Sequence, residues 1–140
     1  MLVNDEIAAM EAVVDELEKK IADGRIGVES MVGHMHTIMQ GMSDDEMIAN
    51  AEKIHAGIVE FSGIDRINAR RIKELRVHHP NDSRISKLAH RAANCYFTLL
   101  DIRFSANIAE VTPDEKPGMY SDNQKLLNMH KETLPQLFGI

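Results

Sequence analysis

Between Ser83 and Ala109 the chain places Ile85, Leu88, Ala92, Cys95, Leu99, Ile102, Ala106 and Ala109 at alternating steps of three and four. No Gly or Pro interrupts the run. A stripe of this period is one face of an α-helix, and a face this long must be buried against other helices. At about 1.5 Å per residue the helix spans roughly 40 Å. An all-α fold follows. The composition agrees, with 44% hydrophobic and 4% aromatic residues, no Trp, and no long alternating run that would read as a strand. The 140 residues fit a single domain over 1–140 with a core of its own.

Four further helical patterns flank this rod. Ile7, Met10, Val14, Leu17 and Ile21 form a heptad seam from about Asn4 to Ala22. Asn4 is its expected cap, and Asp5 and Glu6 suit the positive end of its dipole. A second helix covers about Val28 to Gln40. Its apolar arc (Val28, Met31, Val32, Met35, Ile38, Met39) is wide for a surface helix. Ser43-Asp44-Asp45-Glu46 is a capping box that opens a third, with Met47, Ala51, Ile54, Ile58 and Phe61 on one face. Ser62-Gly63 breaks it, and the pattern resumes with Ile64, Ile67, Ile72 and Leu75 to about Arg76. Residues 77–81, with Pro80, form a turn. Residues 111–120, with Pro113, Pro117 and Gly118, read as an internal linker. A second capping box, Ser121 to Gln124, opens a last helix to about Thr133, and residues 134–140 form an apolar tail.

Length sets the expected architecture. The first two helices, roughly 28 Å and 20 Å, are each too short to cover the 40 Å rod. The stretch 44–76 is as long as the rod and joined to it by a short turn. The expectation is an uneven bundle of five or six helices built around a long antiparallel hairpin, about 44–76 with 82–110. Its base rests on the first two helices and its tip protrudes.

Charge then marks that tip. The net charge of −6 is uneven: residues 1–60 carry −9, residues 61–91 carry +5 and residues 92–140 carry −2. Arg66, Arg70, Arg71, Lys73 and Arg76 lie on the ascending arm, His78 and His79 in the turn, and Arg84, Lys87 and Arg91 on the descending arm. A cationic apex with a helix N-terminus nearby is a candidate site for an anion or an acidic partner. The competing account is a basic arm neutralised by the chain's own acidic first helix. Aromatic interleaving, which single-strand binders use for stacking, is absent.

The remaining chemistry is sparse. His34 and His36, at i and i+2, point to opposite helix faces. Glu52 and His55 form half of a carboxylate di-metal motif without a second copy, so no metal or other cofactor is expected. Cys95 sits on the apolar stripe as a core thiol, and Gly24-Arg25-Ile26-Gly27 is too short for a phosphate loop. Enzymatic activity is not expected.

No apolar run approaches the roughly 20 residues of a membrane span. Asp5 and Glu6 replace the basic flank of a signal peptide. One cysteine suits a reducing compartment. These features read as a cytoplasmic chain without a membrane partner.

The expected function is a non-enzymatic helical protein–protein interaction module acting as a homodimer or larger. As a class, such modules include regulators and inhibitors, phage proteins among them. Met10, Val14 and Leu17 of the first helix and Leu134, Leu137, Phe138 and Ile140 of the tail are the expected oligomer contacts. The alternative is a nucleic-acid or nucleotide binder using the basic segment 66–91.

Overall fold

The computed structural model describes residues 2–109 and 117–140. Its elements are α1 (Val3–Ala22), α2 (Val28–Met39), α3 (Asp44–Ala49), α4 (Ala51–Ser62), a 3-10 turn (Ile64–Arg66), α5 (Ala69–His78), α6 (Ser83–Ala109) and α7 (Pro117–Leu137). The fold is all-α, with seven helices among the described residues. The additional helices come from local breaks in the stretch 44–76. Asn50 leaves helical geometry, and its amide donates to the Glu46 carbonyl at 2.8 Å. Gly63 takes φ 72 and ends α4, and Asn68 caps α5 by accepting from the Arg71 N–H at 3.1 Å.

The long helix is found as expected and is the axis of the molecule. Its buried surface is wider than one stripe. Besides Ile85, Leu88, Ala92, Cys95, Leu99 and Ala106, a second row of Ala89, Leu100 and Phe104 is buried. An arc covering about half the helix circumference needs several partners. α5 packs antiparallel on the first part of α6, with Ile72 and Leu75 joining Ile85 and Leu88 in one core. α7 returns antiparallel along the second row, with Tyr96 edge-on to Phe138 at 6.1 Å and Phe104 near His130 at 5.8 Å. α2 takes the far end of α6, where Met31, Ile58 and Ala106 form a second, smaller core. α4 lies on α2, stacking Phe61 on His34 at 4.3 Å.

The ascending arm of the hairpin therefore follows α6 in pieces, with α2 filling the place expected for its lower half. α1 departs further from expectation. It lies beside the first half of α6 and points the same way, since Asn4 meets Arg84 at one end and Glu18 meets Arg91 further along. The apex does not protrude past α1. α1 begins at Val3 with Leu2 at the cap position, and Asn4 accepts a hydrogen bond from Arg84 at 3.0 Å in place of capping.

α7 also differs from the sequence reading. It begins at Pro117, so Ser121 lies inside the helix and not at its start. It runs through Pro135 to Leu137. Proline removes one helical N–H donor, but staying helical keeps Leu134 and Phe138 on one face, both buried. Residues 111–116 of the expected linker lie outside the described residues, and 117–120 belong to α7.

Candidate functional site

α1 engages four of the ten residues of the predicted cationic apex, three of them through its carboxylates. Glu6 holds the Arg71 guanidinium through both carboxylate oxygens, one of them at 2.8 Å, and Arg71 also reaches Glu74 at 3.3 Å. Glu16 pairs with Arg66 at 2.9 Å and with Lys20 at 3.2 Å. Arg91 is held by both Asp15 and Glu18. Arg84 is shared between Asn4 and Asp82, at 3.0 and 3.3 Å. The hydrogen bonds from Arg66 and Lys20 hold the Glu16 carboxyl well down, at about 2, and the bond from Arg71 lowers Glu6. Carboxylate hydrogen bonds raise Arg66, Arg71 and Arg91 in turn. Segment 66–91 is thus in part a clamp on the chain's own first helix, made by Arg66, Arg71, Arg84 and Arg91.

The other basic residues are exposed or turned elsewhere. Arg76, half-buried, donates to the Gly139 carbonyl at 2.9 Å and ties α5 to the end of the chain. His78, His79 and Lys87 are exposed around the turn. Arg70 and Lys73 lie one helical turn apart on the outer face of α5. Arg70 is 92% exposed at its side chain and has only a 3.5 Å approach to Glu74.

Beside them α7 passes at close range. Ala69, Arg70 and Lys73 on one side and Thr133, Gln136 and Leu137 on the other line a groove of about 450 Å³. Lys73 also lines a second hollow of about 240 Å³ with Arg76, Val77, Pro80 and Gly139, so the two form one surface. Leu126, Met129 and Leu137 are exposed along α7, and Val77 is exposed on α5. The groove itself therefore combines the apolar side chains of Ala69 and Leu137 with two exposed cations, Arg70 and Lys73. An apolar anchor with acidic flanks fits that chemistry.

The seven expected oligomer residues divide. Leu134, Phe138, Val14 and Leu17 are buried in the chain's own core, and Met10 is half-buried against it. Their helical spacing signals burial, and the fold itself meets that demand. The tail folds back on the bundle, with Gly139 at φ 71 and the Ile140 N–H donating to the Pro135 carbonyl at 2.9 Å. Leu137 and Ile140 remain exposed. Sequence reasoning missed the contribution of Thr133 and Gln136, which become a groove wall only because α7 continues past Thr133.

Other cavities offer less. One of about 570 Å³ is open and lined by His36, Thr37, Met39, Gln40 and Met47, and the Thr37 hydroxyl already donates to the Gly33 carbonyl at 3.0 Å. Cys95 lies against α1, where burial pushes its thiol up to about 11, so the nucleophilic thiolate is disfavoured. Arg103 donates to Nδ1 of His55 at 2.6 Å, which holds that imidazole neutral, and the charge of Arg103 lowers the His55 pKa. Among the described residues no group of three or more His, Cys, Asp or Glu is placed to hold a metal ion, and no helix is long and apolar enough to cross a membrane. No protein-family model, curated protein or solved structure matches the chain.

Proposed function

We propose that the chain is a non-enzymatic interaction module that works by self-association, with the α5/α7 face as its contact surface. One observation carries this reading: Leu126, Met129 and Leu137 are exposed on one side of α7, and at its end Leu137 shares a groove with the exposed cations Arg70 and Lys73, of which Arg70 has only the 3.5 Å approach to Glu74. A contiguous exposed apolar patch with a polar rim has the composition of a contact surface. The rival reading, a nucleic-acid or nucleotide binder, has less to work with. Four of its arginines are engaged by Glu6, Asp15, Glu16, Glu18 and Asp82. A polyphosphate would have to displace those carboxylates.

The test is the native mass across a concentration series. The wild-type chain is expected to exceed its monomer mass, and Met129→Glu with Leu137→Glu to return it to the monomer. Both residues are exposed, so the fold should survive. A wild-type chain that stays monomeric at every concentration ends this reading. Steep loss of binding to a phosphate matrix with rising salt, abolished by Arg70→Glu and Lys73→Glu, would favour the rival.

A further inference from the structure

The molecule carries, on a different element, a surface that matches this groove. Residues 28–62 contain six carboxylates and a single lysine. α5 carries four Lys and Arg against one Glu. Within the acidic stretch α3 is the helix with no buried residue, whereas α2 buries Met31 and α4 buries Ile58 and Ser62. It packs on α4, and its side chains at Asp44, Asp45 and Ile48 share the outward face, since positions i and i+4 lie one above the other and i+1 flanks them. Ile48 is 76% exposed, the most exposed β-branched apolar side chain described. Among the described residues neither Asp44 nor Asp45 has a side-chain partner. Ser43 caps the helix through Glu46, accepting from its N–H at 3.3 Å, so the two aspartates are not needed for the cap bond.

The correspondence is specific. On α3 an apolar side chain stands one helical turn from two neighbouring carboxylates. In the α5/α7 groove an apolar rim at Leu137 stands beside two cations, Arg70 and Lys73. α4, twelve residues and about 18 Å long, separates α3 from the 3-10 turn that leads to α5. One copy would thus present its acidic knob at one end of that arm and its basic groove beyond the other.

Resting on the reading of the chain as a self-associating module, we infer that α3 of one copy seats in the α5/α7 groove of a second copy, Ile48 against Leu137 and Asp44 and Asp45 against Arg70 and Lys73. The contact is heterologous: knob and groove are different surfaces, so each bound copy still offers a free knob and a free groove. Such contacts extend until the rotation closes a ring or continue as a filament. The mass should therefore climb with concentration through more than one step, not level off at a dimer, and added salt should lower it.

Charge reversal on both sides gives the decisive experiment. One variant carries Asp44→Lys and Asp45→Lys, the other Arg70→Glu and Lys73→Glu. Each alone sets like charges face to face, and the concentration needed for assembly should rise roughly tenfold or more. Mixed in equal amounts, the basic knob of the first meets the acidic groove of the second, the remaining knob and groove still match, and assembly returns. Ile48→Ser, which leaves the cap untouched, should weaken assembly without any change of charge. Circular dichroism checks that all three variants remain folded. If wild type assembles and both reversals assemble as well as wild type, this pairing is wrong while self-association stands. If each reversal blocks assembly and the mixture fails to restore it, the two surfaces do not meet each other and the inference falls. A wild-type chain that never leaves the monomer overturns the inference and the reading beneath it together.

Discussion

Gly63 sits where three demands meet. It ends α4, it takes φ 72, and a Cβ there would stand 3.0 Å from Cδ2 of Leu17, which is fully buried. The left-handed conformation alone costs an L-residue about 1–2 kcal/mol. Gly24 has nearly the same φ, 73, but open space around its Cβ position. Gly63→Ala should therefore cost about 2 kcal/mol or more, and Gly24→Ala about 1 kcal/mol, read as a drop in urea midpoint at constant slope. Equal losses would show that the approach to Leu17 carries no weight. Cys95 offers a second check at this scale. Its thiol, pushed up to about 11 by burial against α1, should react with a disulfide reagent at neutral pH only as fast as the bundle opens. Reaction as fast in the native protein as in urea would contradict the packing of α1 on α6. Residue identities were readable where one neighbour decides them: the place of Cys95 on the stripe announced a buried thiol, and Ser62-Gly63 announced a break. The need for Gly at position 63 through Leu17, 46 residues away in sequence, was not readable, because it depends on which helix lies alongside.

Among the elements, α1 shows how far sequence could go. Its seam and limits were legible from Ile7 to Ile21, and so was the charge opposition between it and segment 66–91. Its position was not. Helix lengths alone put it at the base of a hairpin, because a single apolar stripe on α6 leaves room for only one full-length partner. The second row, Ala89, Leu100 and Phe104, widens the buried arc enough that α1, α5 and α7 all find room on the same axis. The carboxylates of α1 then meet the arginines directly. This arrangement makes the docking of α1 sensitive to acid. The Glu16 carboxyl, held at about 2 in the folded chain against an ordinary 4.5, takes up its proton more readily when unfolded. Its contribution is fully present above about 4.5 and is lost as pH falls toward 2. Glu6, lowered by Arg71, changes with the same sign. The urea midpoint should fall across that window, and Glu16→Gln should flatten part of the fall while lowering the midpoint at neutral pH. Glu16 is exposed and Glu6 half-buried, so the effect should also shrink in high salt, more for the Glu16 pairs than for Glu6. An unchanged acid profile in Glu16→Gln would mean that the pairs with Arg66 and Lys20 do not help to hold the helix.

The whole molecule is built on two cores of unequal size along one rod. Among the described residues nineteen buried ones join α1, α5, α7 and most of α6, while three (Met31, Ile58 and Ala106) join α2 and α4 to the far end of α6. Half-buried side chains, Val32, Met35, Ile54 and Phe61 among them, thicken the smaller core, but its fully dry part is slight. Burial of apolar surface is the main term holding helices together, so the smaller core should open at lower free energy than the larger. Hydrogen exchange should show amides of α2 and α4 exchanging well before those of α5 and the first half of α6. Met31→Ala removes the one fully buried side chain that α2 contributes, at a cost of about 2–5 kcal/mol for a site of this kind. That loss should appear as faster exchange in α2 and α4 alone, with α1 and α5 protected as before. Uniform acceleration in every helix would instead mean that the rod transmits the loss from one core to the other and that the bundle opens as a single unit. The distinction bears on assembly, because α3 hangs from α4 on the smaller core and the groove lies on the larger. If the smaller core opens alone, the knob loosens while the groove keeps its shape. Met31→Ala should then raise the concentration needed for self-association even at temperatures where α5 and α7 remain fully protected.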